Sequence, residues 1–418
     1  MSNYEYERIA ASRTDQPPAL QIPFVEFVAL TAAMMALTAL SIDIMLPALP
    51  EIGAALGVAT ENERQLIVII YMAGFAAGQL VYGPLSDRLG RRPVLLAGLL
   101  IFTAGSLAAL ISHSFGELLI ARTVQGLGAA SPRVIAIAVV RDIYSGRQMA
   151  RVMSFVMMIF IIIPVFAPSI GQGLIHLGDW YWTFHALLAI GLALGLWAHL
   201  RLPETARGAL GTERVLTLRQ SLKTAIFDLQ TMAYGSASGL MFGCLLAYVA
   251  SAQQIFVDVF GIGSSFPIVF GAVASTMAVA SFTNSRLVGR LGMRRVSHTA
   301  LLGFTAMSLA LVVWVSLDLA SVWIFSALVA STFFLFGLIA PNFNALAMET
   351  QGHNAGMASS VVGSLSTAVG AIAGGIIGQA FDGSALPMAL GFTVCSLITF
   401  AIVYAAEGRS GMFGRNRP

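Results

Sequence analysis

Apolar runs recur along this chain from residue 24 to residue 406, separated by short polar breaks, and this pattern decides its solvent. A run of roughly 20 apolar residues spans the hydrocarbon of a bilayer as a helix. Twelve such runs can be read: 24–47, 62–83, 94–112, 117–140, 149–174, 181–201, 230–256, 266–286, 298–316, 320–345, 356–380 and 385–406. Backbone groups inside lipid must bond to one another, so runs of this kind become helices. The expected fold class is an all-α membrane protein with twelve transmembrane helices. Only 10% of the 418 residues are charged, against roughly 25% in soluble proteins. A cytosolic enzyme, a disordered chain and a secreted disulfide scaffold are thereby excluded. Cys244 and Cys395 lie in apolar runs and read as small buried side chains.

Charge placement predicts the topology. An even number of spans puts both termini on one side. That side carries 20 of the 23 basic residues, from Arg8 and Arg13 through Arg88, Arg91 and Arg92 to Arg415 and Arg417. The opposite loops hold Arg64 alone, with eight acids including Glu51, Glu61, Asp258 and Asp382. By the positive-inside rule both termini are expected in the cytoplasm. The formal charge of +3 sits in short loops, so no nucleic-acid partner is expected. The longest polar stretch divides the chain, giving an N-terminal tail (1–23), a six-helix half (24–202), a linker (203–229), a second half (230–406) and a tail (407–418). Arg88-Leu89-Gly90-Arg91-Arg92 recurs as Arg290-Leu291-Gly292-Met293-Arg294, an offset of 202 residues. Duplicated halves around a midplane site are a transporter architecture.

Four segments carry a resemblance. The loop expected between spans two and three reads Gly83-Pro84-Leu85-Ser86-Asp87-Arg88-Leu89-Gly90-Arg91-Arg92. It matches the G-x-L-x-D-R-x-G-R-R pattern of the major facilitator superfamily. Span four contains Arg122-Thr123-Val124-Gln125-Gly126-Leu127-Gly128-Ala129-Ala130 and ends in Arg141-Asp142, similar to that family's R-x-x-Q-G-x-G-A-A. Span one ends Asp43-Ile44-Met45-Leu46-Pro47-Ala48-Leu49-Pro50, which resembles the drug:proton antiporters, especially their bicyclomycin/chloramphenicol-resistance branch. Ala167-Pro168-Ser169-Ile170-Gly171-Gln172 is a degenerate form of the antiporters' G-P-x-x-G-G. Gly289 stands where Asp87 would repeat in the second half.

The resemblance implies a proton-coupled efflux transporter of the bacterial inner membrane, exporting amphipathic small molecules by alternating access. It implies that Asp87, Arg88, Arg91 and Arg92, with Gly83 and Gly90, pair with Arg141 and Asp142 as a cytoplasmic gate. A monomer, no cofactor beyond the proton gradient, and the lipid bilayer as surroundings are expected. No H-E-x-x-H, Walker loop or Cys/His cluster is present in the sequence, so no metal is expected.

The residues themselves carry part of this reading. Asp43 is the one acid well inside a first-half span, and an ionised carboxylate there is costly unless paired or protonated. It reads either as the proton carrier or as a helix-end acid near the outer interface. Arg122 lies at a similar depth, which makes it a candidate partner of Asp43 or a clamp on backbone carbonyls. Arg133 follows eleven residues later, so both guanidinium groups leave one face about 16 Å apart along the axis. Arg133 is then a cavity ligand or a side chain snorkelling to water. Gln125, Gln172, Tyr71, Tyr248, Gln253 and Asn342 are further candidate substrate contacts, with Phe160, Phe256 and Phe334 among the aromatics. Pro164, Pro168 and Gly171 are candidate hinges in span five. Two rival readings stand: an organic-anion exchanger or symporter using Arg122 and Arg133, and a membrane-embedded enzyme or receptor, disfavoured by the lack of a nucleophile–base pair.

Overall fold

The computed structural model describes residues 22–144, 146–205, 218–317 and 321–411. The expected tails up to residue 21 and from 412, and linker residues 206–217, lie outside the described residues. The helices in order are α1 Phe24–Asp43, α2 Leu49–Ala55, α3 Leu66–Leu89, α4 Arg91–Leu110, α5 Phe115–Ile143, α6 Gly146–Leu177 and α7 Tyr181–Arg201. They continue as α8 Leu218–Phe227, α9 Leu229–Gln253, α10 Phe266–Leu291, α11 Met293–Ser316, α12 Val322–Met348, α13 Ala355–Gln379 and α14 Leu386–Gly411. Among the described residues eleven helices are long and apolar enough to cross a bilayer, and Ile162–Leu177 of α6 adds a shorter apolar stretch.

Three boundaries differ from the expectation, each for a backbone reason. Span one was expected to run to residue 47, yet α1 stops at Asp43. Pro47 is four residues on and has no N–H to give the Asp43 carbonyl, so the ladder ends there. A 3₁₀ turn, Leu46–Ala48, leads into α2. The expected loop 83–93 is almost entirely helical. Helix α3 carries Pro84 inside it and continues to Leu89, and α4 starts at Arg91. Gly90 alone breaks the helix, with φ +98°, a conformation that costs a side-chain-bearing residue much more. The offset of 202 residues has the same effect at Gly292, φ +83°, between α10 and α11. Finally, the linker is not wholly irregular: it contains α8. Pro164 and Pro168 both lie inside α6, which runs as one helix.

Small residues let helix backbones touch, as close packing in lipid requires. A side chain at Gly74 would collide with the Thr123 carbonyl of α5, and one at Gly126 with the Tyr71 carbonyl of α3. Gly243 of α9 and Gly374 of α13 face one another in the same manner. Contacts within α1–α7 and within α9–α14 form two sets, joined chiefly where α3 lies along α13 and α6 along α10. Those two seams flank the centre of the molecule, where the site sits.

Candidate functional site

A cavity of about 140 Å³ opens between the two sets of helices. Thr38, Ile42 and Asp43 of α1, Met72 of α3, Arg133 of α5 and Pro164 of α6 line it on one side. Tyr248 of α9, Phe270 and Met277 of α10 and Phe333 of α12 line the other. Asp43 is only 4% exposed, and among the described residues it forms neither ion pair nor hydrogen bond. The Tyr248 ring stacks on Phe270 at 5.5 Å between centroids and meets Phe333 at 4.8 Å. The hydroxyls of Thr38 and Tyr248 are buried without a hydrogen-bond partner. Arg133 places its guanidinium 5.8 Å from the centre of the Phe75 ring. The cavity is therefore an aromatic and aliphatic chamber holding one acid, one base and two unsatisfied hydroxyls. Gly171 of α6 packs against the Ile44 carbonyl, where any side chain would collide. The backbone of α6 thus rests on the break that positions Asp43.

Arg122 is fully buried and serves a different cluster. Its Nε donates to the Ile67 carbonyl at 3.2 Å and its Nη2 to the Ser41 carbonyl at 3.2 Å. Its Nη1 donates to Gln125 Oε1. Gln125 in turn donates to Ser106 Oγ at 2.7 Å, and the Tyr71 ring lies 4.3 Å below the guanidinium. Arg122 thus ties α1, α3 and α5 together two residues from Asp43, without an ion pair between them. The two arginines on one face of α5 divide their work. Arg133 reaches the cavity, whereas Arg122, Gln125 and Tyr71 form the clamp beside it. The other candidates sit elsewhere. Gln253 is buried near the end of α9, Gln172 contacts His176, and Asn342 donates to Asn284 Oδ1 at 2.7 Å. The Phe160 side chain lies outside the described residues.

The arginine-rich end is held by Arg91. Its Nε donates to Asp142 Oδ2 at 2.8 Å, and its Nη1 reaches Asp87 and Ser86. Arg92 caps the end of α7 through the His199 carbonyl. The Glu204 carboxylate accepts the backbone N–H groups of Arg91 at 2.8 Å and Arg92 at 3.1 Å, so an anion stands on the positive end of α4. Gly83 meets Ser360, and Arg141 lies against Gly356, both on α13. Arg88 has no ion pair or hydrogen bond among the described residues and points outward. A parallel cluster holds the second set of helices. Arg294 donates to Glu407 at 2.7 Å and to Glu349, and Tyr234 donates to Glu407 at 2.7 Å.

Sequence reasoning passed over Glu204 and Glu407. The signal was available in the repeat, because they are separated by 203 residues, nearly the offset of the glycines. At the opposite end amides join the two sets of helices; of these the sequence singles out Gln254 alone, as a candidate cavity residue, whereas it bonds Gln65 and Asn62 instead. Asn62 donates to the carbonyls of Gln379 (3.1 Å) and Phe381 (2.7 Å), and Gln379 donates back to the Asn62 carbonyl at 2.8 Å. Gln254 donates to Asn62 at 3.3 Å and accepts from Gln65 at 2.5 Å. Gln254 opens a π-helical turn, Gln254–Val259, a widening that re-aims side chains.

The sequence matches the profile of the Major Facilitator Superfamily over residues 31–375. The chain belongs to the Major Facilitator Superfamily. It is 30% identical over 381 residues to a bicyclomycin resistance protein homolog of Haemophilus influenzae, covering 88% of this chain and 93% of that one. It is also 30% identical over 283 residues to the multidrug resistance protein MdtM of Salmonella typhimurium, covering 66% and 67%. The fold is that of the xylose transporter XylE from E. coli, with a TM-score of 0.72 at 11% identity over 94% of this chain and 99% of that one. This superfamily member is an integral membrane transporter of small molecules rather than an enzyme.

Proposed function

We propose that this transporter is a proton-coupled exporter of amphipathic drugs, working by alternating access in a bacterial inner membrane with both termini cytoplasmic. It acts as a monomer and draws on the proton gradient. The observation that carries the reading is Asp43, a buried carboxylate on the wall of the central cavity with no ion pair or hydrogen bond among the described residues. The names of the relatives, which refer to bicyclomycin and multidrug resistance, support the substrate class. In this scheme a proton taken up on Asp43 from outside neutralises the acid and favours release of substrate. Loss of the proton to the cytoplasm restores a charged, drug-accepting cavity. One proton crossing about 100 mV supplies about 2.3 kcal/mol, enough for more than a tenfold drug gradient. Small-molecule pockets run to about 300–1,000 Å³. On this reading the cavity of about 140 Å³ widens as the halves part to admit such a ligand.

The test is a pH-dye assay in proteoliposomes holding an acid interior, with chloramphenicol-type and cationic compounds added in turn. Substrate-triggered proton flux in wild type and its loss in Asp43→Asn are expected. Flux unchanged in that variant removes Asp43 from coupling. A second reading, organic-anion transport, draws on Arg133, a cation without an ion-pair partner among the described residues in the same chamber. Loss of anion transport alone in Arg133→Ala, with neutral drugs still carried, decides for it.

A further inference from the structure

The arginine-rich motif contains one arginine that the gate does not use. Val81, Pro84, Leu85 and Arg88 follow the i, i+3, i+4, i+7 spacing of a single helix face, so an apolar stripe on α3 ends in a guanidinium. This stripe forms one wall of a groove of about 270 Å³, whose other wall is Leu222 of α8 and Met357 of α13. Val81 is 54% exposed, so the groove opens sideways from the helix bundle, within the apolar helix Glu61–Leu89 that is long enough to cross a bilayer. Its charge is not cancelled locally. The neighbouring Asp87 is paired with Arg91, and Arg88 makes no ion pair among the described residues. Lys223 on α8 is also exposed, standing 5.8 Å over the Phe227 ring. Helix α8 is itself built for the interface. Ala225 is buried against Ala358 and Val361 of α13, while Ile226 and Phe227 are exposed beside Lys223. An apolar face with flanking cations is the composition of a helix lying at the headgroup level.

We propose that this groove binds one anionic phospholipid, its phosphate on Arg88 and one acyl chain along the Val81–Leu85 stripe. An apolar slot continuous with the hydrocarbon and closed by an unpaired cation fits such a two-part ligand, and a free anion would leave the slot empty. The site spans the seam between the two sets of helices. One wall is α3; the other is α8, which is fixed to α13 by Asn354 donating to the Ser221 carbonyl at 2.9 Å. A lipid seated here touches both sides of the seam close to Gly83 and Ser360, and so favours the closed arrangement at this end. The site and its lipid are independent of what the cavity carries.

The test is native mass spectrometry of the full chain in detergent, titrated with phosphatidylglycerol or phosphatidylcholine. Phosphatidylglycerol adducts are expected at about fivefold lower lipid concentration, the preference one interfacial cation supplies. Arg88→Ala should erase that preference, Arg88→Lys should keep most of it and show that the position tolerates change, and Leu222→Ser should weaken both lipids. Arg286→Ala, an exposed arginine on α10, should bind as wild type does. Equal binding of the two lipids, or an unchanged preference in Arg88→Ala, overturns the proposal. Displacement of the adduct by millimolar inorganic phosphate also overturns it, because the site would then take a free anion and not a lipid.

Discussion

Asp43 and Arg133 face one cavity from α1 and α5 without forming an ion pair. Among the described residues each is an ionisable side chain without an ion-pair partner in a mostly apolar chamber, so each remains available to a proton or a ligand. An acid and a base held apart in this way let the chamber change its net charge by one when the acid gains or loses a proton, without breaking a strong bond first. The neighbouring Arg122, by contrast, is fully committed to the carbonyls of Ile67 and Ser41 and to Gln125.

Asp43→Asn should unfold at the wild-type temperature or above it while losing substrate-driven proton flux. A buried carboxylate without a partner contributes cost rather than stability. Thermal unfolding in detergent beside the flux assay checks both halves; a large drop in melting temperature means that Asp43 has a structural partner.

Arg122→Lys should be the opposite case. An ammonium keeps the charge but not the planar fork that spans α1, α3 and α5. A loss of about 2–3 kcal/mol is expected, the scale of hydrogen bonds to a charged group, measured as a lower unfolding temperature. Unchanged stability would show that the clamp is slack.

Gly90→Ala should destabilise by about 1–3 kcal/mol, the usual scale of backbone strain. Its φ is +98° and an added Cβ would stand 2.7 Å from the Glu204 carboxylate. Gly289→Ala provides the contrast. It lies within α10 with open space around it, so alanine should stabilise there by up to about 1 kcal/mol. Equal effects at the two sites contradict the assignment of Gly90 as the obligatory break.

Arg294 is 2% exposed and faces Glu407 and Glu349. Arg294→Met should cost about 3–5 kcal/mol because it strands a buried carboxylate. Adding Glu407→Leu should recover part of that loss. A double variant as unstable as the sum of the singles shows that the two residues act independently.

Asp228, just outside the membrane span, accepts from the Thr231 N–H at 2.7 Å and from Thr350 at 2.9 Å. Partial burial raises its pKa, but these hydrogen bonds outweigh burial and leave it below the ordinary value. A depressed folded-state pKa contributes stability above the unfolded value of about 3.9 and loses it as pH falls further. Wild type should therefore exceed Asp228→Ala in melting temperature at neutral pH, with the gap narrowing below about pH 4. A gap independent of pH would show that the carboxylate charge is irrelevant there.

The legible part of the fold was that dictated by solvent and helix geometry. Lipid forces apolar runs into helices, so the spans and the glycine repeat at Gly90 and Gly292 could be read directly. The eleven-residue spacing placed Arg122 and Arg133 on one face, but it carried no information about which guanidinium would find carbonyls and which a cavity. That depends on Ser41 and Ile67, on two other helices. The string 83–93 read as a loop because charge and proline suggested one, whereas a single glycine suffices to turn the chain. Asn62 and Gln379 are 317 residues apart, and amides at that separation have no local signature.

The amides of Asn62, Gln65, Gln254 and Gln379 bear on how the molecule reverses itself. The tight ion pairs Arg91–Asp142 and Arg294–Glu407 each stay within one set of helices, so rigid movement of the sets leaves them intact. The seam that must part at the other end is closed mainly by neutral groups, beside one long Arg64–Asp258 contact of 3.8 Å. Water replaces an amide partner on separation with little loss, so each such bond contributes only about 0.5–1.5 kcal/mol. Five of them come to about 3–7 kcal/mol on that scale, close to the roughly 5.5 kcal/mol that carries a two-state population from 1:99 to 99:1. The seam is strong enough to hold shut and weak enough for a single ligand to undo, and wetting is what makes each cycle repeatable.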